Sequence, residues 1–225
     1  MNIIILSAEI KKLELNSYPV CLTEIDGSPL LQHITESIAA LEAKNVIFIF
    51  HQNDINQFHL DNVAKQLINT GEIISVDQVT QGAACTALLA SKFIDNNEQL
   101  LIISTNELVK VNLKTVIDEF VKKRFDAGAV IFPSVHPRYS FVRLDENDLI
   151  IEAAEKMPIS RHATAGVYWY AKGADFVQAT KSMIRKNARV NDVFFICPAF
   201  NEMLLQHAKI GSYAIDSENY IQFKT

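Results

Sequence analysis

The chain is short of positive charge. Lys and Arg number 21 against 26 Asp and Glu, a net charge of −5. Its densest basic run, Lys122-Lys123-Arg124, falls at the solvated end of a predicted helix. No surface for a nucleic-acid backbone is expected from that balance. Cysteine is scarce too: Cys21, Cys85 and Cys197 are odd in number, far apart and without metal-ligand spacing, which argues against a disulfide framework. No apolar stretch approaches the length of a membrane span. The run Asn2 to Leu6 is too short for a signal-peptide core, and Glu9 follows it at once. Linkers, repeats and low-complexity segments are missing as well. These absences leave a soluble, cytoplasmic protein with neither nucleic acid nor membrane as partner. They do not set an oligomeric state.

What is present fits one domain over 1–225. At 25.3 kDa, with 49% apolar and 21% charged residues, the chain has the make-up of an ordinary globular protein. Its first half alternates strands and helices. Strands are predicted at Asn2 to Ser7, Val46 to Phe50, Ile73 to Val76 and Leu100 to Ser104. Helices are predicted from Pro29 to about Ala43, Ile55 to Ile68, Gly82 to Phe93 and Leu113 to Phe125, and Leu22 to Ile25 is extended up to a turn over Asp26-Gly27. Continuous apolar strands separated by helices indicate a mainly parallel sheet covered on both faces, with ligands at the strands' carboxyl ends.

The second half predicts strands at Ala127 to Pro133, Ser140 to Leu144, Leu149 to Glu155, Ala165 to Ala171, Val193 to Ile196 and Ser212 to Ile215. Helices are predicted over Ala174 to Lys186 and Ala199 to Ala208. The fold class is therefore α/β: a mainly parallel mixed sheet flanked by helices, with antiparallel strands inserted in the C-terminal half.

The most informative segment is Thr80-Gln81-Gly82-Ala83-Ala84-Cys85-Thr86, where a strand hands over to a helix through five consecutive small residues. Small side chains let a flat ligand lie against the backbone, and a helix start offers N–H groups to an acceptor. Close packing of helix on sheet asks for the same residues, and both readings stand.

The order of segments resembles the sugar-phosphate nucleotidyltransferases of the glycosyltransferase-A-type fold, in particular capsule- and lipopolysaccharide-locus members. Beyond the first strand and the Gly82 segment, the matching pieces are Glu24-Ile25-Asp26-Gly27-Ser28-Pro29-Leu30, Ser140-Phe141-Val142-Arg143-Leu144-Asp145, Glu155-Lys156-Met157-Pro158, Thr164-Ala165-Gly166-Val167-Tyr168 and Phe194 to Glu202. The resemblance implies joining of a nucleoside triphosphate to a sugar phosphate with release of pyrophosphate. It implies nucleotide contacts from Ser7, Ala8, Glu9, Gln81, Gly82, Ala83 and Asn106, and catalytic contacts to the sugar phosphate from Glu155 and Lys156. Arg138, Ser140, Thr164 and Gly166 would border the acceptor, and Mg²⁺ would be held at Glu107 and Asn201.

The chain departs from that pattern where charge matters most. Glu9 and Lys11 stand at glycine positions of the family's first loop, Leu13 stands at its arginine, and Pro19 precedes Val20 rather than lysine. Asn106 occupies the expected aspartate position, and an amide is a weaker Mg²⁺ ligand than a carboxylate. Glu107 replaces it if the loop turns its side chain inward. Two alternatives therefore stay open: a non-catalytic relative that binds a nucleotide or nucleotide sugar, and a glycosyltransferase. The second is weakened because Thr105-Asn106-Glu107 is not an Asp-x-Asp motif. Arg138 as an exposed salt-bridging residue, and Glu155-Lys156 as a structural ion pair, are the plain readings of those positions. Plain readings also cover His162 in a surface loop, His33 with Glu36 on a solvated helix face, and Trp169 with Tyr170 in the core.

Overall fold

A computed structural model describes residues 1–8 and 18–223 of the chain. Glu9, Lys11, Lys12 and Leu13 lie outside the described residues. In chain order the first half holds β1 (Asn2–Leu6), the hairpin β2 (Glu24–Ile25) and β3 (Ser28–Pro29), α1 (Leu30–Ser37), β4 (Asn45–His51), α2 (Gln52–Phe58), α3 (Leu60–Leu67), β5 (Glu72–Val76), α4 (Ala83–Leu88), α5 (Ser91–Ile94), β6 (Leu100–Ser104), β7 (Glu107–Val109) and α6 (Leu113–Lys122). The second half holds β8 (Ala127–Pro133), β9 (Ser140–Leu144), β10 (Ile150–Glu155), β11 (His162–Tyr170), α7 (Gly173–Arg185), α8 (Ala199–Leu204), β12 (Ile210–Ala214) and β13 (Tyr220–Gln222).

Nine strands form the central sheet, with the path β10-β9-β11-β6-β1-β4-β5 and with β8 and β12 joined beside β11. The strands β6, β1, β4 and β5 are parallel. Strand β11 runs antiparallel to β6, β8 and β9, and β9 runs antiparallel to β10. The α/β class and the mixed sheet are thus as expected.

Alternation along the strands divides the core. Ile4, Leu6, Ile47, Ile49 and Ile102 face α4, α7 and α8, while Ile3, Ile5, Phe48, Phe50 and Ile103 face α1, α3 and α6. Because β4 lies on one side of β1 and β6 on the other, the chain reverses its winding at β1. That switch point opens a crevice at the carboxyl ends of β1 and β6.

Several elements differ from expectation. The predicted helix from Ile55 to Ile68 is two helices broken at His59, whose φ of 53° is left-handed. The helix predicted over Gly82 to Phe93 is likewise split into α4 and α5. Helix α1 ends at Ser37 because the chain turns tightly there, with Ala39 N–H bonded to Glu36 O and Leu41 N–H to Ile38 O. Val193 to Ile196 is not a strand. Val193 makes only a bridge to Val190, and Phe194 pairs its backbone with the Gly82 turn. The strands β7 and β13 pair with each other and were not expected. Among the described residues, no helix is long and apolar enough to cross a membrane.

Candidate functional site

At the switch point lies a cleft of about 680 Å³, within the range of small-molecule sites. Leu6 and Ser104, at the ends of β1 and β6, form its floor. Ala83, Asn106, Glu107, Arg138, Ser140, Glu155, Lys156, Thr164 and Gly166 are among the residues that line it. The Gly82 turn and the Glu155-Lys156 strand end therefore open onto one void. Ser7 and Ala8 follow Leu6 directly, and Ser7 N–H is bonded to Ile49 O at 3.0 Å.

Gly82 itself serves packing rather than a ligand. Its φ is +125°, and a Cβ there would overlap the Phe194 carbonyl and lie 2.7 Å from Val193 Cγ1. Phe194 N–H donates to Gln81 O at 2.8 Å and Phe194 O accepts from Ala84 N–H at 3.1 Å, so one N–H of the α4 start is already taken. Gln81 is exposed, Gly82 is buried, and Ala83 is the residue of this turn that faces the cleft. The sequence pattern could not separate ligand from self-contact, because both require an absent Cβ.

Across the void, β10 carries Glu155, which is only 7% exposed. Ser140 Oγ, on the paired strand β9, donates a short hydrogen bond to Glu155 Oε2. Lys156 follows at φ 55°, a left-handed conformation that costs a non-glycine residue about 1–2 kcal/mol. Its N–H is held by Tyr139 O at 2.9 Å, and its Nζ sits 5.2 Å from the centre of the Phe195 ring. Lys156 forms no ion pair with any described residue, Glu155 included, so the structural ion-pair reading is set aside. A strained, exposed cation at the mouth of a cleft is the kind of feature that marks function rather than stability.

Thr164 and Tyr168 share a buried hydroxyl–hydroxyl hydrogen bond of 2.8 Å on β11. Burial holds the Tyr168 hydroxyl well above its usual range, reinforced by Cys197 and by the Glu155 and Glu107 carboxylates. Burial likewise pushes the Cys197 thiol far up, with Glu155 adding to it. Both groups therefore stay neutral near pH 7; Tyr168 lines the cleft and Cys197 is buried in the core. None of the three cysteines is in a disulfide.

Between the two halves, β11 bulges at Gly166, whose φ is +70°. A Cβ at Gly166 would overlap the Glu107 carboxylate, so Glu107 does turn inward, into the space that glycine leaves. Gly166→Ala is expected to displace Glu107 and, if that carboxylate holds Mg²⁺, to raise the Mg²⁺ concentration for half-maximal activity at least about tenfold. The strained φ adds about 1–2 kcal/mol of destabilisation. A metal titration of turnover beside a urea melt checks both parts.

The metal site was expected at Glu107 and Asn201, and the second of these is corrected. Asn201 Oδ1 accepts from Ala153 N–H at 2.9 Å and its Nδ2 donates to Ala153 O at 2.8 Å. Both ends of the amide are occupied, and they bind α8 to the edge strand β10 two residues before Glu155. Asn201→Ala leaves that backbone pair unsatisfied and should lower stability by about 1–3 kcal/mol, read by urea denaturation. No group of three or more His, Cys, Asp or Glu positioned for a metal occurs among the described residues. The donor set fits Mg²⁺ in the mode that uses one protein carboxylate, here Glu107, with substrate phosphates and water completing the shell.

The remaining wall was missed at the level of sequence. Tyr139, Tyr220 and Gln222 line it, with Tyr220 stacked on Phe132 at 3.9 Å between ring centres. Gln222 Oε1 accepts from Tyr139 OH at 2.8 Å and from Arg138 Nη1 at 3.1 Å. The only signal for β13 was the Tyr220-Ile221-Gln222 alternation. Its partner, β7, lies more than 100 residues earlier.

A family model described as Nucleotidyl transferase matches residues 13–214. No curated protein matches the sequence. Among solved structures, the chain is similar to a nucleoside-diphosphate-sugar pyrophosphorylase from Vibrio cholerae, with TM-score 0.78 and 19% identity over 99% of this chain and 95% of that one. It is similar to a UDP-glucose pyrophosphorylase complexed with UDP-glucose, with TM-score 0.73 and 16% identity over 96% and 90% of the two chains. It is also similar to an inositol-1-phosphate CTP transferase from T. maritima, with TM-score 0.71 and 12% identity over 96% and 86%. At these identities the likeness shows the fold.

Proposed function

Because this chain belongs to the nucleotidyl transferase family, we propose that it transfers a nucleotidyl group from a nucleoside triphosphate to a sugar phosphate. The observation that carries the reading is the single cleft lined by Ala83, Asn106 and Glu107 together with Arg138, Glu155 and Lys156. An oxygen of the sugar phosphate bonds to the α-phosphorus, the bond from that phosphorus to the β-phosphate's bridging oxygen breaks, and pyrophosphate leaves with the electron pair. The attacking phosphate is already ionised, so no general base is needed. The protein's task is to align two anions and offset their charge.

In this reading Lys156 and Arg138 supply positive charge, Glu155 and Thr164 hold sugar hydroxyls, and the Ala83 wall takes the base, with Ser7 and Ala8 next to it at the end of β1. Glu107 would hold Mg²⁺, which neutralises phosphate charge when bound. The product, a nucleotide sugar for surface polysaccharide made in the cytoplasm, rests on the resemblance described above. A nucleotide sugar, the ligand class of one similar structure, spans both halves of such a cleft.

Pyrophosphate release, measured over a panel of nucleoside triphosphates and sugar phosphates with Mg²⁺, tests the reading. Turnover with at least one pair is expected. Asn106, a neutral amide where a carboxylate is expected, favours a second reading, a relative that binds nucleotide without turnover. Binding that survives chelation, with no pyrophosphate from any pair, would select it over the first.

A further inference from the structure

Among the described residues, two cations line the cleft, Arg138 and Lys156, and neither forms an ion pair with a carboxylate. Arg138 is exposed at the rim yet oriented: its Nε donates to His136 Nδ1 at 3.1 Å, and its Nη1 donates to Gln222 Oε1 at 3.1 Å. Neither partner is a carboxylate, and Arg138 forms no ion pair with any described residue. A surface arginine held by a carboxylate has most of its charge cancelled. One held by an imidazole nitrogen and an amide oxygen keeps the charge for something else. Gln222 performs this while also accepting from Tyr139 OH, so its Oε1 is used twice and its Nε2 donor has no partner among the described residues. Strand pairing sets Gln222 opposite Glu107.

We propose that Gln222 is a positioning residue for an anionic acceptor: its neutral amide fixes Arg138 without cancelling its charge, so that Arg138, aided by Gln222 Nε2, receives a phosphate monoester. This rests on the function proposed above and deepens it, because it assigns the acceptor's phosphate, rather than the triphosphate, to the β13 wall. The alternative role is plain packing of β13 on the 136–139 loop, and charge separates the two. Gln222→Glu keeps the shape and the twice-used oxygen of glutamine but pairs with Arg138 and adds a negative charge to the cleft. A packing role tolerates that change; an anion-receiving role does not.

The test compares the parent with Gln222→Glu and Gln222→Ala. For Gln222→Glu, KM for the sugar phosphate should rise at least about tenfold, more than the few-fold rise for Gln222→Ala. KM for the triphosphate should stay within about twofold, and the melting temperature of Gln222→Glu should match the parent. A Gln222→Glu enzyme with parental KM for sugar phosphate overturns the proposal, as does an equal rise for both substrates or a larger loss in the alanine variant. Calorimetry with inorganic phosphate and glucose 1-phosphate makes the same comparison without turnover. If the parent releases no pyrophosphate with any pair, the proposed reaction fails. The inference then stands on those titrations alone: weaker phosphate binding by Gln222→Glu supports it, and equal binding removes it.

Discussion

Lys156→Ala is expected to lower kcat/KM for pyrophosphate release by about 10²–10³-fold, the loss typical of removing one electrostatic contact to a developing anion. The lysine makes no ion pair with any described residue, so its ammonium contributes little to folding; its Nζ rests on the Phe195 ring. Its backbone, by contrast, carries strain at φ 55°. Lys156→Gly should therefore lose activity to the same degree while melting no lower than the parent, because glycine relieves the left-handed conformation. Loss of activity with retained stability would be the signature of a residue held in place for chemistry. A parental rate in either variant would remove Lys156 from the reaction.

Gly82→Ala is expected to produce the largest loss of stability, about 3–5 kcal/mol, or roughly 10 °C in melting temperature for a chain of this size. Two penalties coincide there. A φ of +125° belongs to a region that is essentially glycine's, and the new Cβ would overlap the Phe194 carbonyl with Phe194 N at 2.8 Å behind it. Those neighbours are backbone and cannot swing aside. The 193–196 segment must then move, taking Val193, Phe195 and Ile196 out of the cleft wall. Nucleotide affinity should fall with stability. A urea melt within about 1 kcal/mol of the parent would show that the turn is looser than its contacts imply.

The sequence made the parallel half readable for a physical reason. Strands buried on both faces must be apolar throughout, and the runs at Ile3, Val46 and Leu100 announce that directly, while the edge strand β5 at Ile73 is only partly buried. The breaks were less visible. His59 adopts a left-handed conformation that no nearby glycine or proline marks, and the α4–α5 interruption falls in a run of good helix formers. Val193 to Ile196 has the composition of a strand, but Phe194 directs its backbone donor and acceptor to the Gly82 turn and Val193 directs its own to Val190, instead of to a sheet.

For the proposed site, local pattern placed Asn106 and Glu107 just past β6, where a parallel sheet gathers its strand ends, and Glu155 and Lys156 at the end of the antiparallel strand β10. Asn201 was misplaced because an asparagine amide looks the same whether it meets a metal or a backbone; only the position of α8 against β10 decides. Tyr220 and Gln222 were invisible for the opposite reason: three residues carry too little pattern, and their pairing with β7 closes a loop across half the chain.

The account's central claim is that one ligand can span from Ala83 to Lys156. A crystal structure with a bound nucleotide sugar measures it most directly. The predicted result is a single ligand whose base lies on the Ala83 side, whose sugar lies near Thr164 and Gly166, and whose phosphates approach Lys156 or Glu107. A nucleotide sugar bound with its sugar turned away from Glu155 and Lys156, or seated outside the β1–β6 crevice, would contradict it.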